Sequence, residues 1–174
     1  MSSVRSGCAI ASLVLVGCGS SLGSVQGHDV SASHAAFLSS GTSNTLVLVT
    51  GDMGNICEVF TGKARPVGCF TVLETILANW NGTSTDPAVP GIYVQSSASR
   101  AAGLVSETLL QWGSGCVAYS TTQPGSGSVR IESFGGFQTG AHLVADFDLK
   151  FGDDHVAGRV DATYCGALQH ACGP

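Results

Sequence analysis

The residues that could do chemistry in this chain are few and scattered. Gly19-Ser20-Ser21-Leu22-Gly23 matches Gly-x-Ser-x-Gly, the string in which a strand-to-helix turn exposes a nucleophilic serine. Here it lies in a Ser/Gly-rich stretch expected to be a flexible tether, so the match is expected to be incidental. Five histidines, His28, His34, His142, His155 and His170, include no His-x-His or His-x-x-x-His pair, and metal enzymes usually draw on close imidazoles or imidazoles with cysteines or carboxylates. Asp153-Asp154-His155 is the densest local cluster; Asp favours turns by bonding its own backbone, so a solvated hairpin turn is expected there. Asp146 and Asp148 share one strand face, whereas glycoside hydrolysis needs two carboxyls opposed across a cleft. Glu74 and Glu132 fall in apolar surroundings, where burial would raise a carboxyl pKa. Trp80 and Trp112 suit a core or sheet edge, or a face on which a sugar ring stacks. No catalytic residue, metal ligand or cofactor is assigned from these patterns.

Composition narrows the class of partner. Of 174 residues, 7 are Lys or Arg and 12 are Asp or Glu, a formal charge of −5, and only 11% are charged against 44% hydrophobic. Disordered chains show the reverse balance. So few scattered cations do not neutralise a phosphate backbone, so nucleic acid is not an expected partner. The length suits one domain.

The N-terminus resembles a targeting segment. Residues 1–7 are short and mostly polar with one cation, Arg5, and residues 8–16 form an uncharged, mostly apolar run. That is the order of a secretory signal, too short for the roughly twenty residues that span a bilayer. The run ends Leu15-Val16-Gly17-Cys18, which resembles the lipobox of bacterial lipoproteins. The resemblance implies a signal peptide at 1–17, cleavage before Cys18, and acylation of the Cys18 thiol. Gly19, rather than Asp, follows that cysteine, which in that family favours the outer membrane. Residues 18–44, rich in Ser, Gly, Ala and Thr, are expected as a lipidated tether, with at most a short helix at 34–38.

From residue 45 to 174 the signals are those of strands. Leu143, Ala145, Phe147, Leu149 and Phe151 alternate with polar or smaller residues, as do Val156, Gly158, Val160, Ala162 and Tyr164 after a Gly-Asp turn. Period-two alternation around such a turn predicts a hairpin with one buried face, with Asp146, Asp148 and Arg159 as exposed cross-strand charges. Further strands are predicted at 46–50, 70–80 (where a helix also fits the spacing), 91–95, 108–112, 116–120 and 128–134. The expected fold is all-β: an antiparallel β-sandwich or small barrel of about six to eight strands.

The C-terminal half is also similar to a recurrent type of small predicted bacterial lipoprotein of unknown function. The matching residues are Pro90-Gly91-Ile92-Tyr93, Cys116, Ser126-Gly127-Ser128-Val129 and the run from Gly158 to Cys165. With Cys8 lost in the signal and Cys18 lipidated, five cysteines remain: Cys57, Cys69, Cys116, Cys165 and Cys172. An oxidising compartment would pair four of them. The resemblance implies Cys116 with Cys165; Cys57 would then join Cys69, leaving Cys172 unpaired, or join Cys172. The functional expectation is a lipid-anchored envelope module, structural or binding an envelope protein or polysaccharide. The alternative is a small exported hydrolase or metal-binding enzyme whose site assembles only in three dimensions.

Overall fold

The computed structural model describes residues 21–40, 45–95, 102–115 and 118–169. Twelve strands and one helix follow in chain order. They are β1 (Ser21–Val25), β2 (His28–Ser31), β3 (His34–Ser39), β4 (Leu46–Gly51), α1 (Ile56–Phe60), β5 (Cys69–Trp80) and β6 (Thr85–Asp86). The rest are β7 (Gly91–Gln95), β8 (Gly103–Ser114), β9 (Ala118–Thr122), β10 (Ser126–Phe134), β11 (His142–Phe151) and β12 (Asp154–Ala167). Eight of them close a ring in the order β11-β10-β7-β8-β5-β4-β3-β12, because β12 pairs back to β11. The all-β expectation therefore resolves as a small closed barrel, which leaves no open edge around the ring.

The terminal hairpin is as the alternation predicts. Leu143 faces Ala162 and Phe147 faces Gly158 across ten antiparallel partners, and the turn is Gly152-Asp153 with Gly152 at φ 67°. Its apolar set points into the barrel, where Phe147, Leu149, Val156 and Val160 join Leu46, Leu48, Leu73, Leu77, Tyr93 and Leu110. β4 is buried along its whole length, and residues 69–80 are strand rather than helix.

Three expectations are corrected. First, the stretch expected as a tether is structured over residues 21–39, and its short helix is instead strand β3. Leu22, Val25, Val30 and Phe37 are buried in the barrel core. β1 pairs with the lower half of β12 (Gly23 with Val156), and β3 pairs with its upper half (Thr163 with Ala36). Leu22 fills the place of a missing side chain: a Cβ on Gly158 would lie 2.7 Å from Leu22 Cδ2. Second, two ring contacts, β3 with β12 and β7 with β8, are parallel, so the sheet is not wholly antiparallel.

Third, the cysteines pair differently. Cys57 is bonded to Cys165, with Cα atoms 5.3 Å apart and 108 residues between them in sequence. Neither Cys116 with Cys165 nor Cys57 with Cys69 or Cys172 is therefore the pairing. Cys69 is also disulfide-bonded. The Cys57–Cys165 bridge ties α1 to β12. The helix lays Ile56, Val59 and Phe60 on the outer face of β3-β4-β5, against Leu38, Val47, Val49 and Val72. A second small core thus lies outside the barrel wall.

Candidate functional site

The strand pairing places Glu132, Asp146, Asp148, His142 and His155, together with Arg159, on the outer wall of β10-β11-β12. Asp146 faces Arg159 across the ladder. The Arg159 guanidinium bonds the Glu132 carboxylate and stands 3.8 Å from Asp146 Oδ1; its hydrogen bond holds the Glu132 carboxyl below the usual carboxylate range. His142 Nδ1 lies 2.9 Å from Asp161, and His155 Nε2 lies 2.8 Å from Asp148. These are exposed cross-strand pairs, worth at most about 1 kcal/mol each. Asp154 accepts a 2.8 Å bond from the Gln26 N–H, so part of the expected turn cluster tethers the β1–β2 turn. Glu74 is buried on the outer face of β5 and accepts a 2.7 Å bond from Gln111 Nε2. Among the described residues no three His, Cys, Asp or Glu are grouped to hold a metal.

The Gly-x-Ser-x-Gly string does not make an elbow, since Ser21 opens strand β1 and no helix follows it. His28 stacks on Trp112 with ring centroids 4.5 Å apart. His34 begins β3 and is exposed. Leu15, Val16, Gly17, Cys18, Cys116, His170 and Cys172 lie outside the described residues.

Trp80 belongs to a different arrangement. Three successive outward-facing ladder pairs join β5 to β8: Ile76 with Glu107, Ala78 with Val105, and Trp80 with Gly103. All but Gly103 line a cavity of about 300 Å³, walled also by Ser40, Thr45 and Thr85. Such a volume is at the small end of ligand pockets. The strand rise of about 3.3 Å per residue separates the Trp80 and Glu107 levels by about 13 Å. Gly103 carries no side chain beside Trp80, and the space a Cβ would take is open.

The local sequence fixes the tryptophan firmly. Asn81 Oδ1 accepts from the Thr83 and Ser84 N–H groups, and Asn81 Nδ2 donates to Ser84 Oγ and Asp86 Oδ1. This turn returns the chain so that Thr85 pairs with Trp80. The Trp80 backbone is thereby held between β6 and β8. On β7, Ile92 and Val94 continue the apolar surface, each 57% exposed.

No family model, curated protein or solved structure matches the chain. The chemistry of this wall is therefore read from its own residues. One aromatic plate, an aliphatic floor, three hydroxyls and one carboxylate can bind a ligand with an apolar face and a hydroxylated rim. Among the described residues, the cavity offers no nucleophile–base pair. Sequence reasoning had weighed Trp80 but missed Glu107, Val105, Thr85 and Thr45, which lie on other segments of the chain and carry no local signal.

Proposed function

We propose that this protein is a lipid-anchored binding module of the bacterial cell envelope, acylated at Cys18 and held by that anchor at the outer membrane. The observation that carries the reading is Leu15-Val16-Gly17-Cys18 standing three residues before the first strand at Ser21. Each buried acyl methylene contributes about 0.8 kcal/mol, so two or three chains hold a protein firmly. With so short a link, the barrel sits against the bilayer rather than at the end of a long tether. β1 lies beside β12, and β8 is four places away in the ring. The Trp80 groove, on β5 and β8, therefore lies on a different part of the wall from β12, the strand that β1 joins.

The test is the intact mass of detergent-extracted, non-reduced protein. The expected species lacks residues 1–17 and carries acyl chains, and Cys18→Ala abolishes both changes. An unlipidated species starting elsewhere overturns the anchor.

A further inference from the structure

The loop between α1 and β5 carries cations and an apolar side chain that the fold leaves without partners. Its residues alternate: Lys63, Arg65 and Val67 are exposed, Ala64 is half-buried and Pro66 is buried. Val67 is 87% exposed, more than any other large apolar side chain among the described residues. Neither Lys63 nor Arg65 makes an ion pair or a side-chain hydrogen bond among the described residues, whereas Arg159 is engaged by Glu132 and Asp146. The loop is also braced. The Lys63 and Ala64 N–H groups both donate to the Glu58 carbonyl, and the Gly62 N–H donates to the Val59 carbonyl. The Gly68 carbonyl accepts from the Gly115 N–H at 3.0 Å, and Cys69 is disulfide-bonded. Ala64 packs on the outer core beneath α1, and the Cys57–Cys165 bridge holds the helix from which the loop leaves. Three outward side chains thus stand on an ordered frame, so engaging them costs little conformational entropy.

Their chemistry selects a partner. Between Glu58 and Glu74 the chain carries two cations and no carboxylate, a local excess that acts over the screening length of about 8 Å, apart from the overall −5. The Glu58 side chain is exposed and forms no ion pair with either cation. An acidic protein would use the two cations and leave Val67 in water; an anionic lipid surface uses all three, phosphates for the cations and the acyl boundary for the valine. The path from the anchored strand to the loop is short. Ser21 pairs with Ser31, whose carbonyl accepts from Thr50 Oγ1, and Thr50 pairs with Leu73 on the strand that Cys69 opens.

We infer that the loop of residues 62–68 is a second membrane contact, in which Lys63 and Arg65 bind the phosphates of an anionic bilayer and Val67 enters its boundary. The inference rests on the lipid-anchored reading above for holding the barrel near the membrane, and it adds which side the protein turns towards it. A cation near an anionic surface favours contact about fivefold, and burial of the valine about tenfold. Such factors bind weakly by themselves and suffice to orient a protein that an anchor already confines to the surface.

The experiment uses the full chain carrying Val67→Trp, reconstituted with vesicles of phosphatidylcholine and phosphatidylglycerol whose acyl chains are brominated, at about 10 mM lipid so that weak contact is populated. The emission that Val67→Trp adds to that of Trp80 and Trp112 is expected to shift to the blue and to be quenched severalfold. Ile92→Trp, on the exposed face of β7, is the control and is expected to stay unquenched. Lys63→Glu with Arg65→Glu should bring the quenching of the Val67→Trp chain down to the control level. Salt at about 1 M, where the screening length is about 3 Å, should weaken it, as should vesicles of phosphatidylcholine alone. The side chains changed at 63, 65 and 67 are all exposed, so the fold is not at stake. Quenching that is absent at position 67, equal at 67 and 92, or unchanged by the double charge reversal overturns the assignment. The intact mass of the same sample separates the two readings. An acylated chain without quenching sinks the loop alone, and an unacylated chain quenched at position 67 sinks the anchor alone.

Discussion

Leu22 decides whether the first strands are part of the barrel or an appendage to it. The residue is 4% exposed, and its Cδ2 occupies the space that a side chain on Gly158 would need. Truncating a buried leucine costs about 2–5 kcal/mol through lost transfer energy and the cavity left behind. For Leu22→Ala, with one end of the side chain lying in a notch that cannot close, we expect about 3 kcal/mol. At about 2–4 °C per kcal/mol for a domain near 150 residues, Tm falls by about 6–12 °C. Gly158→Ala is also destabilising, because φ is 146° and the new methyl meets Leu22 at 2.7 Å. Combining the two relieves the clash but not the backbone strain. The double variant is therefore more stable than the sum of its parts by about 1 kcal/mol, within the usual range for contacting residues. The assay is urea and thermal unfolding of the four proteins with disulfides intact. A Tm change below about 1 °C for Leu22→Ala, or strictly additive effects, would refute the claim that β1 is built into the core.

Two further outcomes follow from the fold. Cys57→Ser and Cys165→Ser should each lower stability by about 2–5 kcal/mol, because the bridge closes a loop of about a hundred residues; the double variant should match either single one in urea midpoint, and unequal losses would mean another partner. Tyr93 is fully buried, its hydroxyl donating to the Val89 carbonyl at 2.8 Å and accepting from the Val89 N–H at 3.0 Å. Burial raises its pKa above 10.0, so its stabilising contribution is whole below pH 10 and is lost as pH rises through the folded value. Tyr93→Phe should cost about 1–2 kcal/mol at pH 7 and flatten the stability profile above pH 10, as read from urea midpoints between pH 8 and 11.

What the sequence discloses depends on how regularly each strand alternates. β11 and β12 are legible because five apolar residues in each keep strict period two around a two-residue turn. β1 to β3 are not, because Ser, Gly and Ala fill nearly half of their positions and only Leu22, Val25, Val30 and Phe37 carry the inward set. The alternation there is also broken by a register shift between Ser21 and Gly23. Helix α1 has five residues, too few to show a period of 3.6. The two parallel pairings and the Cys57–Cys165 bridge join residues far apart, and no local pattern encodes such partners. The Trp80 groove escapes for a similar reason: Ile76, Ala78 and Val105 face outward, where a polar wall is expected, and their companions lie on three other segments.

The position of β12 in the ring also governs when the molecule can assemble. The strand pairs with β11, β1 and β3 at once, and its partners begin as early as Gly23. During synthesis, β1 and β3 stay without that neighbour until roughly residue 167 has left the ribosome. Contact order is accordingly high, and closure is slow compared with local hairpin formation. Until then the ring stands open between β11 and β3, and the last strand to be made is the one that supplies the neighbour for both edges.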